Sequence, residues 1–517
     1  MDTRDLWLNV ADSTKNHGSH CNRNAETYME LGLRLGWRMS ELLRQKGSIM
    51  KVWPLLPVYR ALAVLFAVFS LLSPLQAADR KPNFLFIYTD DHRWDAMGVV
   101  QKEQDKRARF PWFKSPNLDR LAAGGVRFRN AFVTLSLCAP SRAAFLTGRY
   151  NHVNGITNNG TPFPKDAVTH ATLLRDAGYK TAYIGKWHMG NQSGKRPGFD
   201  YSASFVGHGR YQTCPFEIDG ESTPTKGWVD DVSTDFAIEW IKQNREQPFS
   251  IVLGFKSPHG PRGGNNLPEP LRNLYADETS RSTPNCGVPA IFHKPDPKTG
   301  KHPTGLASND VHLDYLRHIA GVDANIGRLL DALDGLGLAE DTVVVYTSDN
   351  GYFLGEHCSG DKRALYEESI RIPMLVRYPR LFGKGLVVDE MVINVDLAPT
   401  FLDLAGVKVP KEMQGASWKQ LAAGGKPANW RQSFFAEYYK ELGEVPTVYA
   451  VRTTTHKLVK YPGHPEWTEV FDLTADPYEI KNLASDAVIT SKLEAELTTL
   501  MKEVNYTEPK SASNPRE

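Results

Sequence analysis

The sequence is short of cysteine, of net charge and of long apolar runs, and each shortage removes a class of protein. Cysteine occurs five times in 517 residues, as Cys21, Cys138, Cys214, Cys286 and Cys358, with no CxxC pair. That excludes a disulfide-built scaffold and a zinc module. Cys214 and Cys286 are open to pairing in an oxidising compartment, with two free thiols as the equal alternative. Basic and acidic residues nearly cancel, 61 against 59, which argues against a surface built to grip nucleic acid. Without residues 1–77 the balance is 52 basic against 53 acidic. Any bound anion is therefore held by a few placed cations. Repeats and low-complexity tracts are missing too. What remains is a globular composition, 41% hydrophobic and 23% charged.

The run ALAVLFAVFSLL at 61–72 follows Lys51 and Arg60 and precedes SPLQAADRK. A charged segment, an apolar stretch and small residues make a signal peptide, cut most simply between Ala77 and Ala78. The run falls short of the roughly 20 residues that span a bilayer, so no stable membrane span is expected. No cysteine follows the cut, which excludes a lipid-modified one. The polar stretch 1–49 is out of place ahead of such a signal, and translation from Met50 removes the difficulty. With Met1 as the start, the segment could stay as an uncleaved anchor. Export, periplasmic or secreted, is expected in either case.

About 440 residues then remain, enough for two domains. From Pro82 onward short apolar runs alternate with helical patterns. NFLFIY (83–88), TAYIG (181–185), FSIVLGF (249–255) and TVVVYT (342–347) suit strands buried on both faces. Residues 115–124 predict a helix capped by Ser115, with Pro116 in its first turn and Gly124 closing it. Helical periodicity recurs at 230–244 and 311–334. The alternation means a mostly parallel sheet with helices on both faces. After about residue 425 the runs at 449–452, 456–461 and 468–473 and a helical stretch at 488–503 predict a smaller α+β domain with an antiparallel sheet. The expected organisation is an extension and signal peptide at 1–77, a catalytic domain at 78–425 and a C-terminal subdomain at 426–517.

The chemistry lies just beyond each apolar run. The four runs end in Asp90-Asp91-His92, Lys186-Trp187-His188, Lys256-Ser257-Pro258-His259 and Asp349-Asn350-Gly351. Singly, each is an ordinary turn or cap. Together they fall on the carboxyl edge of a parallel sheet, where ligands bind. Asp90, Asp91, Asp349 and Asn350 offer oxygen alone, which selects a hard divalent cation, Ca²⁺ or Mg²⁺. Lys186, Lys362, Arg142 and the histidines beside such a cation describe an oxyanion pocket. In LCAPSRAAFLTGR (137–149), Pro140 fits a first helical turn and Gly148 a C-terminal cap. Cys138 then opens a helix, with Arg142 one turn on and on the same side.

Cys138-Ala-Pro-Ser-Arg142 with Leu146-Thr-Gly148 resembles the C-x-P-S-R-x-x-x-L-T-G signature of the sulfatase family. Gly185-Lys-Trp-His188, Asp90-Asp91, Lys256-Ser-Pro-His259, Asp349-Asn-Gly351 and Asp361-Lys-Arg-Ala-Leu-Tyr-Glu-Glu-Ser369 stand in the family's order, with no departure at a core position. The resemblance runs from about residue 81 into the C-terminal domain. It implies an α/β fold, the alkaline-phosphatase-like α/β/α sandwich with a smaller C-terminal α+β domain, and sulfate-ester hydrolysis. It also implies that a separate maturation enzyme oxidises Cys138 to Cα-formylglycine.

The hydrated aldehyde has two hydroxyls. One attacks sulfur, and deprotonation of the other expels sulfate, which a serine or thiol ester could not do. The resemblance makes residue 138 nucleophile and metal ligand, and completes the metal shell with Asp90, Asp91, Asp349 and Asn350. Calcium is expected before magnesium. Asp349 is placed to take the nucleophile's proton, Arg142 holds the diol, and His188 is the base on the second hydroxyl. Lys186 and Lys362 neutralise sulfate oxygens, His259 is the acid for the leaving oxygen, and Lys256 is a further substrate contact. His92, His357 and Cys358 are structural or substrate-facing neighbours.

The segment 356–379 looks like sulfatases acting on sulfated carbohydrates, amino-sugar sulfates included. Loops 151–165, 191–215 and 257–310, with Asn158, Asn159, His208 and Arg210, are expected to shape a sugar pocket. Two rival readings stand: a phosphonate monoester or phosphodiester hydrolase of the same fold, and a saccharide-binding relative in which Cys138 stays a thiol. Nucleic acid is not an expected partner.

Overall fold

The apolar runs become neighbours in one sheet. A computed structural model describes residues 81–302 and 308–509, within a compact unit that begins at Lys81. The signal peptide, its cleavage site and Cys21 lie outside the described residues. Ten strands are β1 (Asn83–Thr89), β2 (Val126–Phe128), β3 (Lys180–Lys186), β4 (Tyr201–Phe205), β5 (Phe216–Ile218), β6 (Glu221–Thr223), β7 (Phe249–Gly254), β8 (Thr342–Ser348), β9 (Met374–Arg377) and β10 (Leu386–Val388). They form one sheet in the order β10-β2-β9-β8-β1-β7-β3-β4-β5-β6. The centre is parallel: Phe84 lies beside Ser250 of β7 and Val343 of β8, and β3 runs parallel to β7 and β4. β9 is antiparallel to both neighbours, and so are the β4–β5 and β5–β6 pairs.

The central strands have no polar break because both faces are covered. In β1, Phe84, Phe86 and Tyr88 enter one core with Phe145 and Phe401. Leu85 and Ile87 enter another with Leu121, Trp240 and Leu329. Full burial of each such side chain is worth about 1.5–3 kcal/mol. The second core is supplied by helices α1 (Pro116–Ala123), α3 (Val229–Asn244) and α4 (Asn309–Gly335); the first by α2 (Cys138–Thr147) and residues 397–404. The mostly parallel sheet with helices on both faces is as the sequence predicts.

The ends of α1 fall where expected, at Ser115 and Gly124, but not by the expected cap bonding. Ser115 occupies the N-cap position, but its hydroxyl caps no helix N–H; it accepts the Gly98 N–H at 2.7 Å and donates to Asp119 Oδ1 at 3.4 Å. Gly124 closes the helix at φ −84°, a conformation open to any residue. The stretch 201–205, expected within a pocket loop, is the strand β4. All four described cysteines are free, so Cys214 and Cys286 stand as thiols. Among the described residues, no helix is long and apolar enough to cross a membrane.

The C-terminal strands β11 (Ser433–Tyr438), β12 (Val448–Thr453), β13 (His456–Lys460) and β14 (Glu469–Asp472) form an antiparallel sheet in chain order. Helix α5 (Ala487–Glu503) starts where Asp486 accepts the N–H groups of Val488 and Ile489. Buried charges tie this sheet to the segment carrying Lys362: Glu367 pairs with Arg452 at 3.2 Å and Lys457 at 2.9 Å, and Lys457 pairs with Glu479 at 2.7 Å.

His152 makes a second tie, bonding Glu437 of β11 at 2.7 Å and the Val504 carbonyl at 3.1 Å. Burial pushes its ring down, but the Glu437 bond and charge and the Val504 carbonyl outweigh it, raising its pKa. A raised histidine pKa stabilises the fold fully below its unfolded value of about 6.5, and that contribution fades as pH rises through the folded value. His152→Gln should therefore lower Tm more at about pH 5.5 than at about pH 8.5. Equal losses at the two pH values in thermal melts would contradict the ion pair.

Candidate active site

The four strand tips meet. β1 is followed by Asp90 and Asp91, β8 by Asp349 and Asn350, β3 ends at Lys186, and β7 is followed by Lys256 and His259. Asp90, Asp91 and Asp349 each bring a carboxylate oxygen within 4.8 Å of the others, and Asp90 does the same with Cys138 and His259. Asp91 adopts φ 74° and His188 φ 46°, left-handed backbone that non-glycine residues rarely hold outside functional sites. Gly185, just before Lys186, has φ 88°, and a Cβ there would meet the Gly254 carbonyl at 2.0 Å. Only glycine lets β3 deliver the lysine.

Cys138 is the first residue of α2, and Gly148 ends the helix in the left-handed conformation at φ 64°. Both features match the sequence reading. The Cys138 thiol is fully buried and lies 3.4 Å from Asp90 Oδ1. Arg142, one turn on, pairs with Asp90 at 3.0 Å and Asp349 at 2.6 Å and donates to the Trp187 carbonyl at 3.1 Å. It thus reaches the side of the helix on which Cys138 lies, as its spacing requires.

The charges alternate closely. Lys186 pairs with Asp90, and Lys362 with Asp91. Asn350 donates to Asp91 Oδ1 at 2.7 Å, while its own Oδ1 is buried with no hydrogen-bond partner. Burial pushes Asp90 up, but Lys186, His259 and Arg142 outweigh it and hold its carboxyl well below the usual range. Asp349 is pushed up to about 7 by burial and by Asp90. Burial raises Asp91 too, with Asp90 adding to it against Lys362. Three crowded carboxylates and an orphaned amide oxygen fit a hard divalent cation, as the donor chemistry predicts.

Burial and the Asp90 charge push the Cys138 thiol up.

The histidines gather on the cationic side. His188 is buried with Nδ1 unpartnered; burial and then Lys186 push its pKa far down, so the ring is neutral. His259 donates from Nδ1 to the Gly260 carbonyl at 2.7 Å and holds Nε2 4.0 Å from Asp91. His208 lies 3.8 Å from the His188 ring and 4.7 Å from that of His259, and its Nδ1 is 3.1 Å from Lys186 Nζ. The sequence reading placed His208 only among loop residues, since its glycine-rich surroundings carry no periodicity.

Of the other loop residues, Asn159 accepts the Ala139 N–H at 3.0 Å, Asn158 bonds its own turn, and Arg210 donates to Thr213 at the surface. None of these three makes a bond to the central cluster. Lys256 sits 4.8 Å over the Tyr211 ring, and burial and Lys186 push it down to about 8. Asp230, at the start of α3, accepts the backbone N–H groups of Lys256 and Ser257 and positions that loop.

Other residues near the site escaped the sequence reading or were left undecided by it. Arg262 is held 4.4 Å over Tyr352 and 5.0 Å over Tyr315, with one guanidinium nitrogen buried and unpartnered. Its signal was adjacency to the Pro258-His259 motif. His92 is structural: its ring bonds Tyr346 at 2.7 Å and the Ala96 carbonyl at 2.9 Å. His357 stacks on Tyr366 at 3.8 Å and lies 3.1 Å from the Asn285 amide, and Cys358 is buried beside it.

Known proteins share this plan. Residues 82–407 match the family described as Sulfatase, and residues 355–506 match N-sulphoglucosamine sulphohydrolase, C-terminal. The chain is 33% identical to an N-acetylglucosamine-6-O-sulfatase of Bacteroides thetaiotaomicron, over 83% of this chain and 87% of that one. It is 28% identical to an ulvan-active sulfatase of Formosa agariphila, with 91% of each chain covered. A protein solved in complex with its substrate, D-glucosamine-2-N,6-O-disulfate, superposes with a TM-score of 0.74 at 30% identity, covering 83% of this chain and 99% of that one.

Proposed function

This chain belongs to the sulfatase family of sulfuric ester hydrolases, and we propose that it removes sulfate from a carbohydrate, with 6-O-sulfated glucosamine as the preferred residue. The observation that carries the chemistry is the gathering of opposite charges around Cys138: three carboxylates, with Lys186 on Asp90 and Lys362 on Asp91, and three histidines beside them. The 6-O-sulfated amino sugar is argued from the relatives, one named for N-acetylglucosamine 6-O-sulfate and one solved with a 6-O-sulfated glucosamine.

Asp90, Asp91, Asp349 and Asn350 would hold the divalent cation, calcium before magnesium. Bound there, it would polarise a sulfate oxygen and lower the pKa of a hydroxyl. Cys138 as Cα-formylglycine would supply, as its hydrate, one hydroxyl for attack and a second for expulsion of sulfate. The family implies both groups.

The remaining roles belong to the chain's own residues. Arg142 fixes Asp90 and Asp349 beside residue 138, and Asp349 takes a proton there. Lys186 and Lys362, each held against one carboxylate, neutralise an anion entering the pocket. His188, with Nδ1 unpartnered, accepts the proton from the second hydroxyl once the negative charge of bound sulfate offsets the burial and cations that otherwise disfavour its imidazolium form.

His259 carries its neutral-state proton on Nδ1, which faces the Gly260 carbonyl. Protonating a leaving oxygen therefore requires its imidazolium form, and an incoming sulfate group favours that charge. Lys256 and His208 edge the same pocket. The apolar segment at 61–72 would export the enzyme to where sulfated glycans are met.

The test is sulfate release from N-acetylglucosamine 6-sulfate and N-acetylgalactosamine 4-sulfate, set against hydrolysis of an aryl phosphonate monoester. The 6-sulfate should be favoured in kcat/KM by about 10²-fold. Faster turnover of the phosphonate monoester than of any sulfated sugar would overturn the assignment in favour of the phosphonate hydrolase. An inactive protein whose Cys138 is a thiol throughout would favour the saccharide-binding relative.

A further inference from the structure

A cavity of about 270 Å³ shares no residue with the catalytic cluster, although Arg93 on its wall is two positions beyond Asp91. Seven arginines and four carboxylates line it. Five of the arginines are paired; Arg93 has Asp95 to itself and Arg129 also reaches Asp389, but the other carboxylates are shared. Glu356, behind the wall, serves both Arg93 and Arg109, and Glu103 serves both Arg127 and Arg129. Arg452 pairs with Glu367, which also serves Lys457. Arg107 and Arg371 make no ion pair among the described residues. Arg371 donates instead to the Arg129 carbonyl and Asn130 Oδ1, and lies 3.9 Å over the Trp94 ring.

Two further features suit an anion-binding role. Arg109, only 2% exposed, leaves its Nε buried and without a partner. Burial pushes Arg371 and Arg109 down to about 10, and neighbouring arginines add to the shift in both. Guanidiniums crowded around shared carboxylates repel one another, and their planar donor forks match the oxygens of a sulfate or phosphate.

We propose that this cavity is a second oxyanion site, separate from the catalytic one, that takes a sulfate-sized anion, either free or as a sulfate group on a saccharide. A free anion would make it a sensor of released sulfate. A saccharide-borne one would make it a grip on a sulfated chain. Anion binding here is independent of the catalytic residues, while these two uses of it rest on the proposed function.

Calorimetric titration separates these cases. Sodium sulfate is titrated into the wild-type protein, Arg107→Gln and Arg371→Gln; a sulfated disaccharide is titrated into Cys138→Ala with and without each arginine change. Two classes of site are expected, one of which weakens by about tenfold or more when either arginine is lost. kcat/KM on a sulfated monosaccharide should stay within about twofold of wild type. Arg107 is exposed, so its replacement tests the site even if Arg371→Gln misfolds. Loss of the second class with sulfate alone assigns a free anion; loss with the disaccharide assigns a chain grip. A single class in the wild type, or two classes unchanged in Arg107→Gln, overturns the proposal.

Discussion

Cys138→Ala lowers kcat/KM for sulfate release by about 10⁵-fold or more, the size of effect seen when a covalent nucleophile is removed. The side chain is fully buried against Asp90, so substrate binding cannot substitute for what it does. The fold should survive, because the change removes a single sulfur that has one polar neighbour; Tm should stay within a few degrees. Cys138→Ser is more discriminating. Its single hydroxyl can accept a sulfuryl group but has no second hydroxyl with which to expel it. At most one equivalent of product per protein is expected in a burst assay. Steady turnover by the serine variant, or wild-type turnover by the alanine one, would contradict the nucleophile assignment.

Removing the divalent cation should cost about 10³-fold in activity, comparable to the loss of a main charge-stabilising group. The structure supplies a second readout. Asp90, Asp91 and Asp349 hold carboxylate oxygens within 4.8 Å of one another, and Asn350 leaves an oxygen unpartnered. A cation there stabilises the folded chain by about 2.7 kcal/mol at a hundredfold excess over its Kd. Chelation should therefore lower Tm, with calcium restoring both Tm and activity more fully than magnesium. Asn350→Ala should shrink the calcium-dependent rise in Tm without abolishing the fold. Full activity in protein shown by elemental analysis to be metal-free would count against the assignment.

The parallel core and the helix starting at Cys138 were legible because chemistry and periodicity coincide there. Strands buried on both faces leave continuous apolar runs, and each run ends where a ligand-bearing residue begins. Two other strands were hidden by buried polar residues. In β4, Ser202 and Ser204 are buried, and Ser204 donates to the Gly185 carbonyl at 2.7 Å, so the stretch passes for a loop. In β11, Glu437 is fully buried yet accepts from Asn151, His152 and Tyr439.

Long-range partners of this kind leave no local pattern. The same is true of His208 and Arg262, which reach the site from glycine-rich loops, and of Ser115, whose hydroxyl bonds Gly98 outside the helix it precedes. The arginine-lined cavity was equally invisible, since its walls come from segments more than three hundred residues apart.

The most direct measurement is peptide mapping by mass at residue 138, made on the same preparations whose sulfate-releasing activity is assayed. Specific activity should rise in proportion to the fraction of chains carrying the aldehyde, and extrapolate to zero where only the thiol is found. Undiminished sulfate release from protein in which every residue 138 is an intact cysteine would contradict it.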